Sequence, residues 1–212
     1  MSKSLDDELA ALRSAIDNLP DWSGQPPAVD GTPPGTEPAP DARGRDRQRW
    51  AAIDAHLERP VTGQRVLVVG GDVAADAAAF AARDAGEVHE CADWETLDPE
   101  RHGTFDVVHC HDLLHRVLEP IALLRRLRAM TSPGSTLLLS SMMLADPERS
   151  EYLRFVPGQH AGDSTCWFIP GRLAARWMIQ SAGFEIQLEF DEHEGPRDRI
   201  PVVSAYLRAV AT

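Results

Sequence analysis

The chain has 212 residues and a formal net charge of −12, and 43% of its residues are hydrophobic and 25% charged. This is the composition of a soluble chain that is long enough for one well-buried domain and an appendage. The negative charge opposes broad adhesion to nucleic acid or to anionic membranes, because like charges repel and few counterions would be released. We therefore expect neither as a partner.

The cysteines and the start of the chain bear on its location. The three cysteines are far apart and form neither a CxxC pair nor a disulfide framework, which indicates a reducing compartment; they are Cys91, Cys110 and Cys166. The first residues lack the apolar core of a signal peptide, and no run approaches about 18 apolar residues. We expect a cytoplasmic protein.

The first 43 residues are expected to lie outside the main domain. Residues 1–19 are predicted to form a helix, because apolar residues recur at helical spacing at Leu5, Leu9, Leu12, Ile16 and Leu19. Residues 20–43 are predicted to form an extended linker, because seven prolines and few apolar residues cannot offset the entropy of ordering. The helix packs on the domain, on a second copy in a homodimer, or on another partner; the sequence does not decide which.

A second helix is predicted from about Gly44 to near Arg59, where Pro60 disfavours helix in the residue before it. Its apolar stripe is Trp50, Ile53 and Leu57. A dense basic cluster begins it and is expected to be a solvated helix start; its members are Arg43, Arg45, Arg47 and Arg49.

The domain over residues 44–212 alternates strands with helices. Strands are predicted at residues 65–70, 87–91, 105–110, 136–140, 184–190 and 201–209, and helices at residues 72–85, 120–130 and 172–182. This alternation implies an α/β fold with a mostly parallel sheet. The last two strands lie close together in sequence and can pair as an antiparallel edge. Residues 92–104 are too few for a further strand with its helical crossover.

Five short segments occur in a characteristic order and spacing. They are Val66-Leu-Val-Val-Gly-Gly71, Phe105-Asp-Val-Val108, Leu113-Leu-His115, Ser132-Pro-Gly-Ser-Thr-Leu-Leu-Leu139 and Ser181-Ala-Gly-Phe184. In this the chain resembles the class I S-adenosylmethionine (SAM) methyltransferases. The resemblance implies a three-layer Rossmann-like sheet that lacks one of the strand–helix units usual in the family, SAM as cofactor, and a small-molecule acceptor.

The cofactor turn implied by the resemblance comprises Gly70, Gly71 and Asp72, but Asp72 and Ala74 stand where the family usually has glycine. Val68 also replaces the acidic residue usual in this strand. The alternative is a plain strand-to-helix turn with Asp72 as the helix N-cap.

Two carboxylates and an aromatic residue extend the implied cofactor site. Glu90, near the end of the second strand, can accept hydrogen bonds from both ribose hydroxyls; alternatively it is an exposed charge at a strand end. Asp93, followed by Trp94, resembles the family's aspartate that accepts from the adenine amino group, with the next residue flanking the ring.

Three histidines follow one another at residues 109, 111 and 115. We expect His111 to face the crevice at the carboxyl end of its strand, near the cofactor, and we consider His111 and His115 as general bases, since an imidazole titrates near neutrality. His115 can instead cap a helix or pack in the core. We predict no metal site, because no carboxylate beyond Asp112 is near in sequence.

The long segment over residues 151–171 is rich in aromatic and polar residues and punctuated by glycine and proline. With its flanking motifs it resembles the bacterial tRNA uridine-5-oxyacetic acid carboxymethyltransferases, which use carboxy-SAM. The resemblance implies Tyr152, Arg154 and Trp167 as acceptor-binding residues and leaves carboxy-SAM as an alternative donor. A segment that only covers the sheet edge is the alternative.

The sequence thus favours a SAM-dependent methyltransferase that acts on a small or medium-sized acceptor. The alternative is a catalytically inactive protein of this fold that binds a ligand or a partner protein, since the cofactor turn is poor in glycine. A nicotinamide dehydrogenase is disfavoured, because the fingerprint G-x-G-x-x-G is absent.

Overall fold

A computed structural model of the chain describes residues 42–156, 160, 163–194 and 200–212. The predicted helix over residues 1–19 and most of the predicted linker over residues 20–43 lie outside this part of the chain. Among the described residues, none of the helices is both long and apolar enough to cross a lipid bilayer.

Helices and strands alternate along the described chain. The helices are α1 (Ala42–His56), α2 (Val73–Ala81), α3 (Pro99–His102), α4 (Pro120–Ala129) and α5 (Arg172–Ser181). The strands are β1 (Arg65–Val69), β2 (Glu87–Cys91), β3 (Phe105–Cys110), β4 (Thr131–Leu144), β5 (Leu153–Phe155), β6 (Phe168–Pro170), β7 (Phe184–Glu194) and β8 (Val202–Ala211). Every helix and strand predicted for residues 44–212 is present, and β4 extends beyond its predicted bounds at both ends.

Six strands form one sheet in the order β2-β1-β3-β4-β8-β7. The pairs β2–β1, β1–β3 and β3–β4 are parallel, whereas β8 runs antiparallel to both β4 and β7. The predicted mostly parallel sheet with an antiparallel edge is confirmed. Between β2 and β3 the chain forms only a 3₁₀ turn and the four-residue α3, so the predicted loss of one strand–helix unit is confirmed as well.

The sheet separates two apolar cores, and β1 contributes to both. Val66 and Val68 pack on the side of α1 and α2, where Phe80 is fully buried. Leu67 and Val69 pack on the opposite side, against α4 and α5. Because both faces of β1 are covered, all four residues are buried, which explains the unbroken apolar run in the sequence.

Candidate functional site

The loops that follow β1 and β3 are joined at the carboxyl edge of the sheet. The backbone N–H of His111 donates to the carbonyl oxygen of Val69 at 3.0 Å, so the first residue after β3 is tied to the last residue of β1. Parallel α/β sheets bind ligands at this edge, in the crevice beyond the strand ends. The structure therefore places His111 where the sequence predicts it.

Gly70 and Gly71 form the turn after β1 with φ angles of +75° and +61°. A β-carbon on Gly70 would lie 2.6 Å from the carbonyl oxygen of His111, and one on Gly71 would lie 2.8 Å from its Nδ1 atom. Both the left-handed backbone and the close approach require glycine. The group that approaches is His111, so this turn fixes the position of that side chain.

The third residue of the predicted cofactor turn, Asp72, has a structural role. It is the N-cap of α2, and its side chain accepts from the backbone N–H of Ala75 at 3.1 Å. This is the alternative interpretation of the residue, and it accounts for a helix start without the usual third glycine.

Glu90 and Asp93 are exposed carboxylates at the end of β2 and just beyond it. Asp93 uses one oxygen to cap the 3₁₀ turn over Trp94–Thr96, where Oδ1 accepts from the N–H of Glu95 at 3.0 Å. Trp94 is half-buried and packs against the core on the side of α4. The acidic strand end is therefore open to a ligand, and the roles given to these residues remain predictions.

A buried carboxylate that the sequence analysis did not single out contacts His111. Asp76, on α2, has an exposed side-chain fraction of 1%, and its Oδ2 lies 2.9 Å from Nδ1 of His111. The Nη2 of Arg49 lies 2.8 Å from the other carboxylate oxygen, and its Nη1 lies 3.1 Å from Nε2 of His111 and 2.7 Å from Nδ1. Arg49, Asp76 and His111 thus form one ion-paired cluster.

The ionisation of Asp76 follows from these contacts. Burial raises the pKa of this carboxyl, but the hydrogen bond from His111, together with the positive charge of Arg49, holds it below its ordinary value. Asp76 is therefore a carboxylate at neutral pH. The expectation that the basic cluster at the start of α1 is solvated is wrong for Arg49, whose side chain is 14% exposed.

His109 lies behind this cluster and is fully buried. Its Nε2 lies 3.1 Å from the hydroxyl of Tyr206 on β8, and its Nδ1 lies 3.6 Å from Oδ2 of Asp76. Burial lowers the pKa of His109 to about 3 and raises the pKa of Tyr206 well above its ordinary value, so both side chains are uncharged at neutral pH. Strand alternation places His109 and His111 on the same face of the sheet.

His115, the other predicted base, lies inside the fold. Its side chain is fully buried, and its Nδ1 lies 3.3 Å from the hydroxyl of Ser141 on β4. Burial lowers its pKa to about 4, so the imidazole is uncharged at neutral pH. The structure therefore gives His115 the packing role that the sequence left as the alternative.

A cavity of about 290 Å³ opens beside His111 at the carboxyl ends of β3 and β4. Most of its lining residues are of polar or charged type; the full lining is Arg49, His111, Asp112, Arg116, Ser140, Met142, His160, Asp163, Ser204, Ala205 and Tyr206. Arg116 forms ion pairs with both Asp112 and Asp163. The cavity therefore presents hydroxyl groups and paired charges, which suits a small polar ligand.

The three residues predicted to bind an acceptor lie elsewhere. Tyr152 is 61% exposed, and Arg154 lies in β5, which pairs with β6 in a separate two-stranded sheet. The backbone N–H of Trp167 donates to the carbonyl of His115 at 2.9 Å. Within the described part of the chain, the lining of the cavity beside His111 includes none of the three.

Two residues of the site were missed although each left a signal in the sequence. Asp76 is the one charged residue in the alanine-rich helix Val73–Ala81, and a lone charge among small apolar residues indicates a buried contact. Arg49 lies four residues before Ile53, so both lie on one face of α1 and Arg49 is turned toward the core.

Metal binding needs a separate consideration, since donor atoms of Asp76, His109 and His111 lie within 4.8 Å of one another. The expectation that Asp112 is the only carboxylate near these histidines is wrong, because α2 brings Asp76 to them across the sheet edge. However, the guanidinium of Arg49 already balances the charge of Asp76 and approaches His111. A divalent cation would have to displace it.

Comparisons with known proteins relate this architecture to a family. A family model described as a methyltransferase domain matches residues 28–189. No curated protein matches the sequence. Among solved structures, the chain is similar to a proposed SAM-dependent methyltransferase from Listeria monocytogenes, with 13% identity, 81% of this chain and 99% of the other covered, and a TM-score of 0.59.

Two further solved structures share the fold. The N-terminal domain of EvdMO1 with S-adenosylhomocysteine (SAH) bound has 23% identity and a TM-score of 0.51, and the match covers 79% of this chain and 81% of that one. The 1,6-didemethyltoxoflavin-N1-methyltransferase of Burkholderia thailandensis, with 1,6-didemethyltoxoflavin and SAH bound, has 18% identity and a TM-score of 0.50, and the match covers 100% of this chain and 92% of that one.

Proposed function

The chain belongs to the methyltransferase domain family, and from this premise we propose that it is a SAM-dependent methyltransferase whose acceptor is a small polar molecule bound in the cavity beside His111. The observation that carries the proposal is the position of this cavity. The cavity lies at the carboxyl ends of β3 and β4. His111 lines it and also packs against the glycine turn after β1.

The chain's own residues suit a cofactor at the adjacent strand ends. The exposed carboxylate of Glu90 would accept hydrogen bonds from the ribose, and Asp93 and Trp94 would contact the adenine. The left-handed turn at Gly70 and Gly71 brings backbone close to the crevice. When bound, SAM supplies an electrophilic methyl group and leaves as SAH, the ligand of the similar structures of EvdMO1 and of the toxoflavin enzyme.

The acceptor is proposed to be small, because about 290 Å³ is at the lower end of the range for ligand pockets. Hydroxyls of Ser140 and Tyr206 and the Arg116 ion pairs would orient it by hydrogen bonds. His111 would accept the proton that a hydroxyl acceptor loses as it is methylated, because His111 lines the cavity and is held by Asp76. His115 is buried, so we assign the role of base to His111 alone.

We propose SAM rather than carboxy-SAM as the donor. The resemblance to the tRNA carboxymethyltransferases rests on the segment over residues 151–171, and its Tyr152 and Arg154 do not line the cavity. The cavity arginines, Arg49 and Arg116, are both paired with carboxylates of the chain itself, so a donor carboxylate would have to compete for them. The net charge of −12 opposes binding of tRNA.

One observation favours the second candidate, a catalytically inactive protein of this fold that binds a ligand or partner. The Nη1 of Arg49 lies within hydrogen-bonding distance of Nε2 of His111, the nitrogen that would accept the proton. An enzyme must move this guanidinium when the acceptor binds, whereas a binding protein need not. Turnover of SAM in the presence of candidate acceptors separates the two candidates.

The proposal is tested by isothermal titration of the full-length protein with SAM and with SAH. We expect saturable binding of both, and at least a tenfold weaker affinity in the variants Glu90→Ala and Asp93→Ala. Glu100→Ala is the matched control, since Glu100 is also an exposed carboxylate, on α3. Absence of binding by folded wild-type protein would overturn the proposed function, and equal losses in all three variants would overturn the assignment of Glu90 and Asp93.

A further inference from the structure

We propose that Asp76 is a positioning residue that holds His111 with its proton on Nδ1, so that Nε2 carries the lone pair that accepts a proton from a hydroxyl acceptor. This inference rests on the proposed function, because it explains how His111 would be prepared for that role. It assigns a role to a buried residue outside the cavity and narrows the acceptor to molecules whose nucleophile must lose a proton.

The tautomer of His111 follows from the chemistry of the Asp76 carboxylate. A carboxylate can only accept hydrogen bonds, so the 2.9 Å contact between Oδ2 of Asp76 and Nδ1 of His111 requires the proton on Nδ1. The Nη1 of Arg49 lies 2.7 Å from Nδ1 and 3.1 Å from Nε2, so it approaches both ring nitrogens and does not select a tautomer. The assignment of the tautomer therefore rests on Asp76, whose carboxylate contacts Nδ1.

The position of the ring is also restricted by its surroundings. Gly71 allows Nδ1 of His111 to lie where a β-carbon would be only 2.8 Å away. The rings of His109 and Tyr206 lie at centroid distances of 5.6 and 5.8 Å from the ring of His111, and both are uncharged at neutral pH. The charged side chains in contact with the His111 ring are Asp76 and Arg49. Because Arg49 is itself a cation, Asp76 is the one of the two that can compensate a positive charge on His111.

A consequence concerns the acceptor. A hydroxyl that donates to Nε2 must take the place of the Nη1 of Arg49, which can remain paired with Asp76 through Nη2. The hydroxyl proton then moves to Nε2 as its oxygen bonds to the methyl carbon, and the electron pair of the broken carbon–sulfur bond stays on sulfur. A nucleophile without a proton to lose would gain nothing from Asp76 or His111.

The experiment is long-range ¹H–¹⁵N correlation NMR of the histidine side chains at about pH 7.5, with His111 assigned by its loss in His111→Gln. We expect wild-type His111 to be protonated on Nδ1. In Asp76→Asn we expect loss of this single tautomer, because an amide can donate to Nδ1 as well as accept from it. Asp54→Asn is the matched control, since Asp54 pairs with Arg83 at 2.7 and 2.9 Å on the exposed side of α1; it should leave His111 unchanged.

The outcomes separate this inference from the proposed function. A wild-type His111 protonated on Nε2, or an unchanged tautomer in folded Asp76→Asn, overturns the positioning role. The wild-type spectrum decides even if the variant does not fold, and it needs neither cofactor nor acceptor. A spectrum that changes on addition of Zn²⁺ and loses the Nδ1 proton would instead assign the cluster to a metal. Failure to bind SAM would overturn the proposed function while leaving the tautomer as measured.

Discussion

Arg49 and Asp76 form an ion pair between α1 and α2, with 2.8 Å between Nη2 and Oδ1, and their side chains are 14% and 1% exposed. The pair joins the first described helix to the carboxyl edge of the sheet, where both residues contact His111. A buried ion pair adds little stability relative to apolar residues, but the loss of one partner is costly, because the other charge stays buried. The cluster is therefore best explained by what it does to His111.

Removal of one charge from this pair is expected to destabilise the fold strongly. Arg49→Met should lower the free energy of unfolding by about 3–5 kcal/mol, because the carboxylate of Asp76 is left buried without a cation. Arg149→Met, which removes an exposed partner of Asp146, should cost less than about 1 kcal/mol. Urea denaturation measures both. Similar losses in the two variants would show that the Arg49 pair is solvated.

The double variant Arg49→Met/Asp76→Leu completes this test. Without either charge, no unpaired ion remains buried, so we expect it to be more stable than Arg49→Met alone. If the losses in free energy of unfolding caused by Arg49→Met and by Asp76→Leu simply add in the double variant, a direct interaction between Arg49 and Asp76 is contradicted.

The glycine turn offers a test of how closely His111 is held. Gly71→Ala and Gly63→Ala both place alanine at positive φ, +61° and +73°, which costs about 1–2 kcal/mol. A β-carbon at Gly63 meets nothing within 4 Å, whereas one at Gly71 meets the ring of His111 at 2.8 Å. Gly71→Ala should therefore lower the free energy of unfolding by about 1–3 kcal/mol more than Gly63→Ala does, which is the usual cost of overpacking. Equal melting temperatures would mean that the His111 ring is free to move.

The free energy of unfolding is expected to decrease as the pH is lowered from about 6.5 to about 4, and His115 should contribute to this decrease. Its pKa is lowered from 6.5 to about 4 in the folded state, so the unfolded chain binds more protons in this window. Stability then rises with pH across it and is fully present above the unfolded-state pKa. From about pH 7.5 to pH 5 this histidine accounts for a loss of about 2 kcal/mol.

The variant His115→Gln tests this assignment. Urea denaturation at the two pH values should show a smaller loss in the variant than in the wild type, whatever the change in absolute stability. His109, with a folded-state pKa of about 3, contributes to the wild-type loss with the same sign. The same pH dependence in wild type and variant would mean that His115 is accessible to protons in the folded protein.

Replacement of the proposed base should separate binding from turnover. His111→Gln is expected to keep the affinity for SAM within about threefold and to lower the rate of methyl transfer to a hydroxyl acceptor by 10²–10⁴-fold, about the contribution of general base catalysis. Radiolabelled methyl transfer, with titration of SAM in parallel, measures both. Loss of SAM affinity instead would make His111 a cofactor contact first.

The sequence by itself determined the arrangement of strands and helices. The unbroken apolar run of β1 reflects burial on both faces of the sheet, and the helical spacing of apolar residues in α4 reflects burial on one face of that helix. Both patterns are visible within a short stretch of sequence, so the elements could be predicted without the tertiary structure. The short interval between β2 and β3 excluded a further strand by length alone, and the N-cap of α2 by Asp72 could be read from local chemistry.

Only the tertiary structure decided which polar residues meet. Arg49, Asp76 and His111 are 27 and 35 residues apart along the chain, and periodicity shows that a side chain faces inward but not which side chain it meets. Among the histidines, His111 lines the cavity while His115 is buried, because β3 has ended and the chain turns into the core by Leu114. Tyr152 and Arg154 lie outside the cavity lining since β5 pairs with β6 in a separate sheet. Burial and helix capping can be predicted from neighbouring residues in the sequence. The site depends on contacts between residues far apart in sequence, which form only when the helices pack on the sheet.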